Sequence, residues 1–364
     1  MKRLLPRSAS RLAWLCAALI PLASIGYAAD STAPLPSYGA DLTQTSVSGL
    51  SSGAFMAVQF DVAFSNEIVG AGIVAGGPYY CAGLFAPTSP FLAAQTQCME
   101  PLGDSGPQAS DALQAARTFA RDGLIDDPHG LARQRIYVFS GSMDKTVDRR
   151  VVDQTAAFFA LAQVPPENIQ YQHDIPAGHA FITDRSTDAN CGVSAGPYIN
   201  NCGFEQSHQI LRWIYGNLNP PSAGATGRLL PFDQADFDPG HRATLSQTGY
   251  VYIPSACDTD TCRVHVVFHG CLQDAQAIGD RYVRGTGYNE MADTNHIIVL
   301  FPQTQVDNSS HSTADSGSLA TSTHAARPLA AASFGKSPAR PSEISMAACA
   351  MSLARKPNWT RGVG

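Results

Sequence analysis

The sequence has no Cys-x-x-Cys pair and no Cys/His cluster at metal-ligand spacing, so it offers zinc no ligand set. Basic clusters are missing as well. Of 24 Lys and Arg, four lie in the first 28 residues and six after residue 310, which leaves 14 against 28 acidic residues between 29 and 310. A surface with that balance repels nucleic acid and anionic membranes, and a neutral substrate suits it better. Long apolar runs are scarce. The one near the start, residues 12–22, is too short to span a bilayer comfortably. It follows Lys2, Arg3, Arg7 and Arg11 and precedes the small residues Gly26 and Ala28, so residues 1–28 read as a secretory signal peptide cleaved near Ala28, not as a membrane anchor. Cys16 lacks the small residue before it that a lipoprotein signal requires.

Export gives the remaining eight cysteines an oxidising compartment. Three pairs lie close in sequence, Cys81 with Cys98, Cys191 with Cys202 and Cys257 with Cys262; proximity suggests these pairings without dictating them. Each would close a local loop worth roughly 2–3 kcal/mol by the loop-entropy argument. Cys271 and Cys349 are left over.

The stretch Val47-Ser48-Gly49-Leu50-Ser51-Ser52-Gly53-Ala54-Phe55 contains Gly-x-Ser-x-Gly, followed by Phe55, Val58 and Val62 at helical spacing. A strand entering a sharp turn and then a helix lifts the Ser51 hydroxyl out of a sheet, and the flanking glycines let backbone pass without a Cβ clash. The helix start also aims free N–H groups at any oxyanion that forms beside Ser51. A Gly- and Ser-rich turn is the plain alternative.

Two further strand ends carry suitable partners. Arg135 to Gly141 is β-rich and runs into Ser142-Met143-Asp144; Asn168 to Ile175 is another strand and runs into Pro176-Ala177-Gly178-His179. Alone, Asp144 reads as the cap of the helix expected over 150–162, and a lone His on a loop usually has no catalytic role. The order Ser51, Asp144, His179, each after a strand, is however the order of an α/β hydrolase. A histidine takes the serine proton only when a buried carboxylate holds its tautomer, so the three residue types are needed together. The expected fold is α/β, a mostly parallel sheet flanked by helices.

Arg263 to Phe268 is a buried strand leading into His269-Gly270-Cys271. In esterases such a turn supplies half of an oxyanion hole, here the Cys271 N–H beside the Ser52 N–H. The alternative for His269 is a strand-end residue with a satisfied ring. The turn ordinarily precedes the serine, whereas here it follows by more than two hundred residues, so the connectivity is expected to be circularly permuted. Asn217 to Thr226 is rich in Pro, Gly and Ser and could link subdomains. Tyr79, Tyr80 and Phe181 are candidates for lining a substrate groove, though core packing is the commoner role for such rings.

With GLSSGAFMA, GSMDKTV, AGHAF and VVFHGCLQ in this order, the chain resembles the secreted poly(3-hydroxybutyrate) depolymerase family over residues 38–306. The resemblance implies hydrolysis of 3-hydroxyalkanoate polyesters, with Ser51 as nucleophile, Asp144 as acid, His179 as base, and Ser52 and Cys271 as oxyanion donors. It implies no cofactor and no metal; the partner is a polyester polymer or oligomer, and the chain is expected to be monomeric. Residues 29–306 would form one catalytic domain. From residue 307 the chain departs from the family pattern of a tryptophan-bearing segment, whose cysteine would partner Cys271, and a closing helix. Residues 307–364 are instead rich in Ser, Thr, Ala, Arg and Pro, with Trp359 their only tryptophan, and read as a disordered tail left by a frameshift or a divergent extension. A feruloyl or acetyl esterase of plant polysaccharide, and a non-catalytic polymer-binding scaffold, are the alternatives.

Overall fold

A computed structural model describes residues 33–237 and 245–304; the segments read as signal peptide and tail, with Cys349 and Trp359, lie outside the described residues. In chain order the elements are β1 (Ala40–Leu50), α1 (Ser52–Ala63), β2 (Ile68–Val74), α2 (Pro90–Gln95), α3 (Ala109–Arg121), β3 (Arg135–Phe139), α4 (Arg149–Leu161), β4 (Ile169–Gln172), β5 (Phe181–Thr183), β6 (Ala189–Asn190), β7 (Ile199–Asn201) and α5 (Gln206–Tyr215). After these come β8 (Arg228–Asp233), β9 (Thr248–Ile253), β10 (Cys262–Phe268), α6 (Ala275–Ile278), α7 (Arg281–Gly285), α8 (Tyr288–Asn295) and β11 (Ile297–Phe301).

Apolar runs without alternation, such as Ile136-Tyr137-Val138-Phe139 and Ile297 to Phe301, become strands buried on both faces, as a parallel sheet covered by helices requires. Eight strands form one sheet in the order β4-β3-β2-β1-β10-β11-β9-β8. All neighbours from β4 to β11 pair in parallel, and β9 runs antiparallel to both β11 and β8. The chain therefore starts its described sheet in the middle. Placing β8–β11 ahead of β1 renumbers the sheet as first, second, fourth, third, fifth, sixth, seventh, eighth, an α/β-hydrolase sheet with permuted connectivity.

The Pro/Gly/Ser stretch after α5 leads straight into β8 of this same sheet, so it separates no subdomain. The three pairs Cys81–Cys98, Cys191–Cys202 and Cys257–Cys262 are disulfides. Cys271, read from the sequence as left over, is disulfide-bonded too. Among the described residues no helix is long and apolar enough to cross a membrane.

Helix α1 is buried along its whole length, the burial expected of a helix apolar all round. Its one ionisable side chain is Asp61. Among the described residues neither Asp61 carboxyl oxygen lies within hydrogen-bond distance of a partner; desolvation pushes its pKa up to about 8, and the nearby Gln134 amide and Arg133 charge only partly offset it. The folded chain thus holds a proton that the unfolded chain releases near pH 4. Stability is full below that pH and falls as pH rises to about 8, by several kcal/mol for a shift of this size. Asp61→Asn is expected to match the wild type at pH 4 and to exceed its Tm at pH 8. Thermal melts across that range check it, and a wild-type stability flat between pH 4 and 8 would contradict it.

Candidate active site

Strand β1 ends at Leu50 and α1 begins at Ser52, so Ser51 is the entire turn. Its φ of 55° and ψ of −123° place a non-glycine residue in a sparsely populated region, the strain expected of a nucleophile elbow. The turn is pinned on both sides: Ser51 N–H donates to Val74 O at 2.8 Å, and Phe55 N–H to Ser51 O at 2.9 Å. The two glycines are required by close approach. A Cβ on Gly49 would lie 2.3 Å from Gly53 O, and one on Gly53 would lie 2.3 Å from Phe268 O and 2.4 Å from His269 O. Gly53 is where the elbow helix rests on the end of β10.

The loop after β10 is held with equal care. Gly270 N–H donates to Gln273 Oε1 at 2.8 Å, and Gln273 Nε2 reaches Pro197 O and Tyr198 O at 2.9 and 3.1 Å. A Cβ on Gly270 would stand 3.1 Å from Leu50 O and 3.4 Å from Ser51 Cβ, which packs this turn directly against the elbow. His269 is buried, and desolvation keeps its ring neutral. Its Nδ1–H donates to Gly270 O at 2.8 Å, while Nε2 accepts from Thr304 N–H at 3.3 Å. Both ring nitrogens are thus satisfied, and the ring braces the turn at the end of β10. Cys271 Sγ, part of a disulfide, lies 3.2 Å from Ser52 Oγ, which donates to it. Helix α1 has no side-chain cap, so nothing from a capping residue occupies the Ser52 N–H.

Asp144 follows β3 by five residues, and its carboxylate is gripped at Oδ1 by the N–H groups of Thr146 (2.8 Å) and Val147 (3.1 Å). Oδ2 accepts from His179 Nδ1 at 2.7 Å, with side chains 2% and 6% exposed. The cap of α4 is Asp148, which accepts from Arg150 N–H at 2.8 Å; Asp144 sits one turn too early for that role. His179 is buried, and its Nε2, on the opposite ring edge, has no partner among the described residues.

A separate small sheet, β5-β7-β6, positions His179. His179 N–H donates to Ser194 Oγ at 2.8 Å, Gly178 N–H to Cys191 O at 2.8 Å, and the Cys191–Cys202 disulfide closes the module. Arg185, just past β5, fastens it to the helices by ion pairs to Glu205 (3.4 Å) and Glu290 (3.1 Å).

Ser51, Ser52, His179 and Cys271 line one cavity of about 390 Å³, at the small end of the roughly 300–1,000 Å³ of ligand sites. Most of its remaining wall is apolar, including Leu50, Phe55, Met99 and Val147. Among the described residues the Ser51 hydroxyl makes no hydrogen bond, a looseness common before substrate aligns the groups. Of the three candidate rings, Tyr79 and Phe181 are fully buried core and Tyr80 lines the cavity. Gln59, Gln273, Ser194 and Tyr198 also line it; nothing in their spacing marks them.

Behind the elbow a buried polar chain ties β1 to β10. Tyr215 O–H donates to Gln44 O at 2.8 Å, so its oxygen accepts from Ser46 O–H at 2.7 Å. Ser46 then accepts from His265 Nδ1–H (2.6 Å), Ser48 O–H donates to His265 Nε2 (2.8 Å), and Tyr288 O–H donates to Ser48 (2.5 Å). With Gln44 O and, at 3.4 Å, Val264 O as its acceptors, the Tyr215 proton thus sets every other proton in the chain and the His265 tautomer. Burial pushes the His265 pKa down to about 3, and the ring stays neutral.

No protein-family model matches the chain. It is 41% identical over 276 residues to "Poly(3-hydroxybutyrate) depolymerase" of Delftia acidovorans, covering 74% of this chain and 54% of that one. It is 34% identical over 315 residues to "Polyhydroxybutyrate depolymerase" of Talaromyces funiculosus, covering 85% and 86%. The chain therefore spans about half the length of the Delftia relative and most of the Talaromyces one. Among solved structures, a serine-to-alanine variant of PHB depolymerase complexed with an R3HB trimer superposes with a TM-score of 0.67 at 34% identity, over 75% of this chain and 83% of that one.

Proposed function

The chain belongs to the poly(3-hydroxybutyrate) depolymerase family, and we propose that it is a secreted serine esterase that cleaves poly(3-hydroxybutyrate)-type polyesters through an acyl-enzyme. The observation that carries this reading is the 2.7 Å Asp144–His179 bond at the wall of the cavity that Ser51 also lines. Ser51 Oγ attacks the ester carbonyl as His179 Nε2 takes its proton, and Asp144 holds the Nδ1–H and stabilises the imidazolium. The carbonyl oxygen gains its charge between the N–H groups of Ser52 and Cys271, on two elements locked together at Gly53 and Gly270. His179 passes the proton to the departing hydroxyl of the polymer. Water, deprotonated by the same ring, then attacks the acyl-enzyme and frees Ser51.

No step needs a metal or an organic cofactor, because each proton has a protein acceptor and the developing charge has two donors. Residues 1–28 would direct export, in keeping with the disulfides. The apolar cavity suits a neutral polyester, and so does the acidic body. Incubation with a polyhydroxybutyrate suspension and, separately, with feruloylated arabinoxylan tests the assignment. Clearing of the first with release of soluble hydroxyacid is expected. Ferulate release without clearing would assign the same site to another ester.

A further inference from the structure

Tyr79 and Tyr80 stand side by side and are treated very differently by the fold. Tyr79 is fully buried, with Phe158 stacked at 6.4 Å and Phe119 edge-on at 6.3 Å. Tyr80 is half-buried and lines the cavity that holds Ser51 and His179. Its backbone is left-handed, with φ 56° and ψ 23°, a conformation that costs a bulky residue on the order of 1–2 kcal/mol. A ring needed only for core packing has no reason to accept that cost and then remain half exposed.

Several independent contacts keep it there. Gln59 Oε1 accepts the Tyr80 N–H at 3.0 Å, and Gln59 Nε2 is tied in turn to Phe55 O on the elbow helix at 3.2 Å. Phe119 meets the Tyr80 ring edge-on at 4.9 Å. The ring also covers Gly83, where a Cβ would come within 2.2 Å of it, so only glycine leaves room for this placement. The Cys81–Cys98 disulfide, one residue away, ties the loop to the Met99 wall of the same cavity. These contacts hold the ring at the wall of the cavity that Ser51 and His179 also line.

We propose that Tyr80 is a specificity residue: its ring sets the width of the cavity beside Ser51 and thereby limits the alkyl branch of the hydroxyalkanoate repeat that can be cleaved. This rests on the polyesterase reading of the site. A methyl-branched repeat passes the ring, and a propyl-branched one meets it. Phenylalanine keeps the ring and leaves the limit in place, whereas alanine removes it.

The test is the ratio of kcat/KM for a propyl-branched trimer, from 3-hydroxyhexanoate, to that for a methyl-branched trimer, from 3-hydroxybutyrate, in each variant. Tyr80→Ala is expected to raise the ratio about tenfold or more, the lower end of what one methylene decides in an apolar pocket. Tyr80→Phe is expected to stay within about twofold of the wild type. A ratio unchanged in Tyr80→Ala, or a rise in Tyr80→Phe equal to that in Tyr80→Ala, overturns the proposal. Should Tyr80→Ala fail to fold, Tyr80→Leu preserves the buried part of the side chain and reads the same ratio. The underlying reading is checked separately on the wild type: if it cleaves neither trimer, both readings fall, and if it cleaves the methyl trimer while the variants leave the ratio unmoved, only the role of Tyr80 falls.

Discussion

Asp144→Asn is expected to lower kcat on a soluble hydroxybutyrate oligomer by about 10⁴-fold, the loss an amide causes in a triad of this kind, with little change in KM. The variant keeps size and shape, and its amide oxygen can still accept from the N–H groups of Thr146 and Val147 that now bind Oδ1. At the second position an amide nitrogen would face His179 Nδ1 where a carboxylate oxygen now accepts at 2.7 Å. The ring then shifts its proton to Nε2 and has no lone pair left for the Ser51 hydroxyl. Both side chains are almost fully buried, so water does not easily replace the missing acceptor. Steady-state kinetics with circular dichroism on the same samples checks this. A loss smaller than about tenfold in a folded variant would mean that Asp144 only shapes its turn.

Gly53→Ala is expected to destabilise the protein by about 4 kcal/mol or more, lowering Tm by roughly 10 °C. The added Cβ would stand 2.3–2.4 Å from two backbone carbonyl oxygens, Phe268 O and His269 O, and no rotamer change can relieve contacts with main chain. Either α1 moves off β10 or β10 moves off β1, and in both cases the Ser52 and Cys271 N–H groups separate. A thermal melt measures the first effect, and esterase activity well below the melt measures the second. Gly39→Ala is the matched control: nothing lies within 4 Å of a Cβ there, so its stability should stay within about 0.5 kcal/mol of the wild type. Equal melts for the two variants would show that the elbow does not depend on that close approach.

What was legible in the sequence was local. Gly-x-Ser-x-Gly describes a strand, a strained turn and a helix within five residues, and that is how residues 49–53 are built. Strand ends were likewise readable, because a parallel sheet buries both faces and writes unbroken apolar runs. The permuted connectivity was readable for a similar reason, since the His269–Gly270 turn announces itself wherever it falls. Asp144 and Asp148 show the limit. Both precede the same helix, and only the point at which the helix begins, set by the course of the intervening turn, decides which one caps and which one meets His179.

The supports of the site were hidden because they are non-local or very short. β5, β6 and β7 have two or three residues each, too few for any periodicity, yet they hold His179. Gln273 braces Gly270 through a side-chain amide, a contact with no sequence signature. Ser46, Ser48 and His265 would ordinarily suggest solvent, and here they are buried because Tyr215 and Tyr288, from helices far along the chain, complete their hydrogen bonds. Tyr80 was indistinguishable from Tyr79 until its backbone and its neighbour Gly83 were seen.

Labelling with a fluorophosphonate, followed by peptide mass spectrometry, tests the central claim most directly. The account predicts one adduct, on Ser51, formed in the folded wild type and abolished in Ser51→Ala together with polyester hydrolysis. A folded wild type that leaves Ser51 unlabelled, or a Ser51→Ala variant that still clears the polymer, would contradict it.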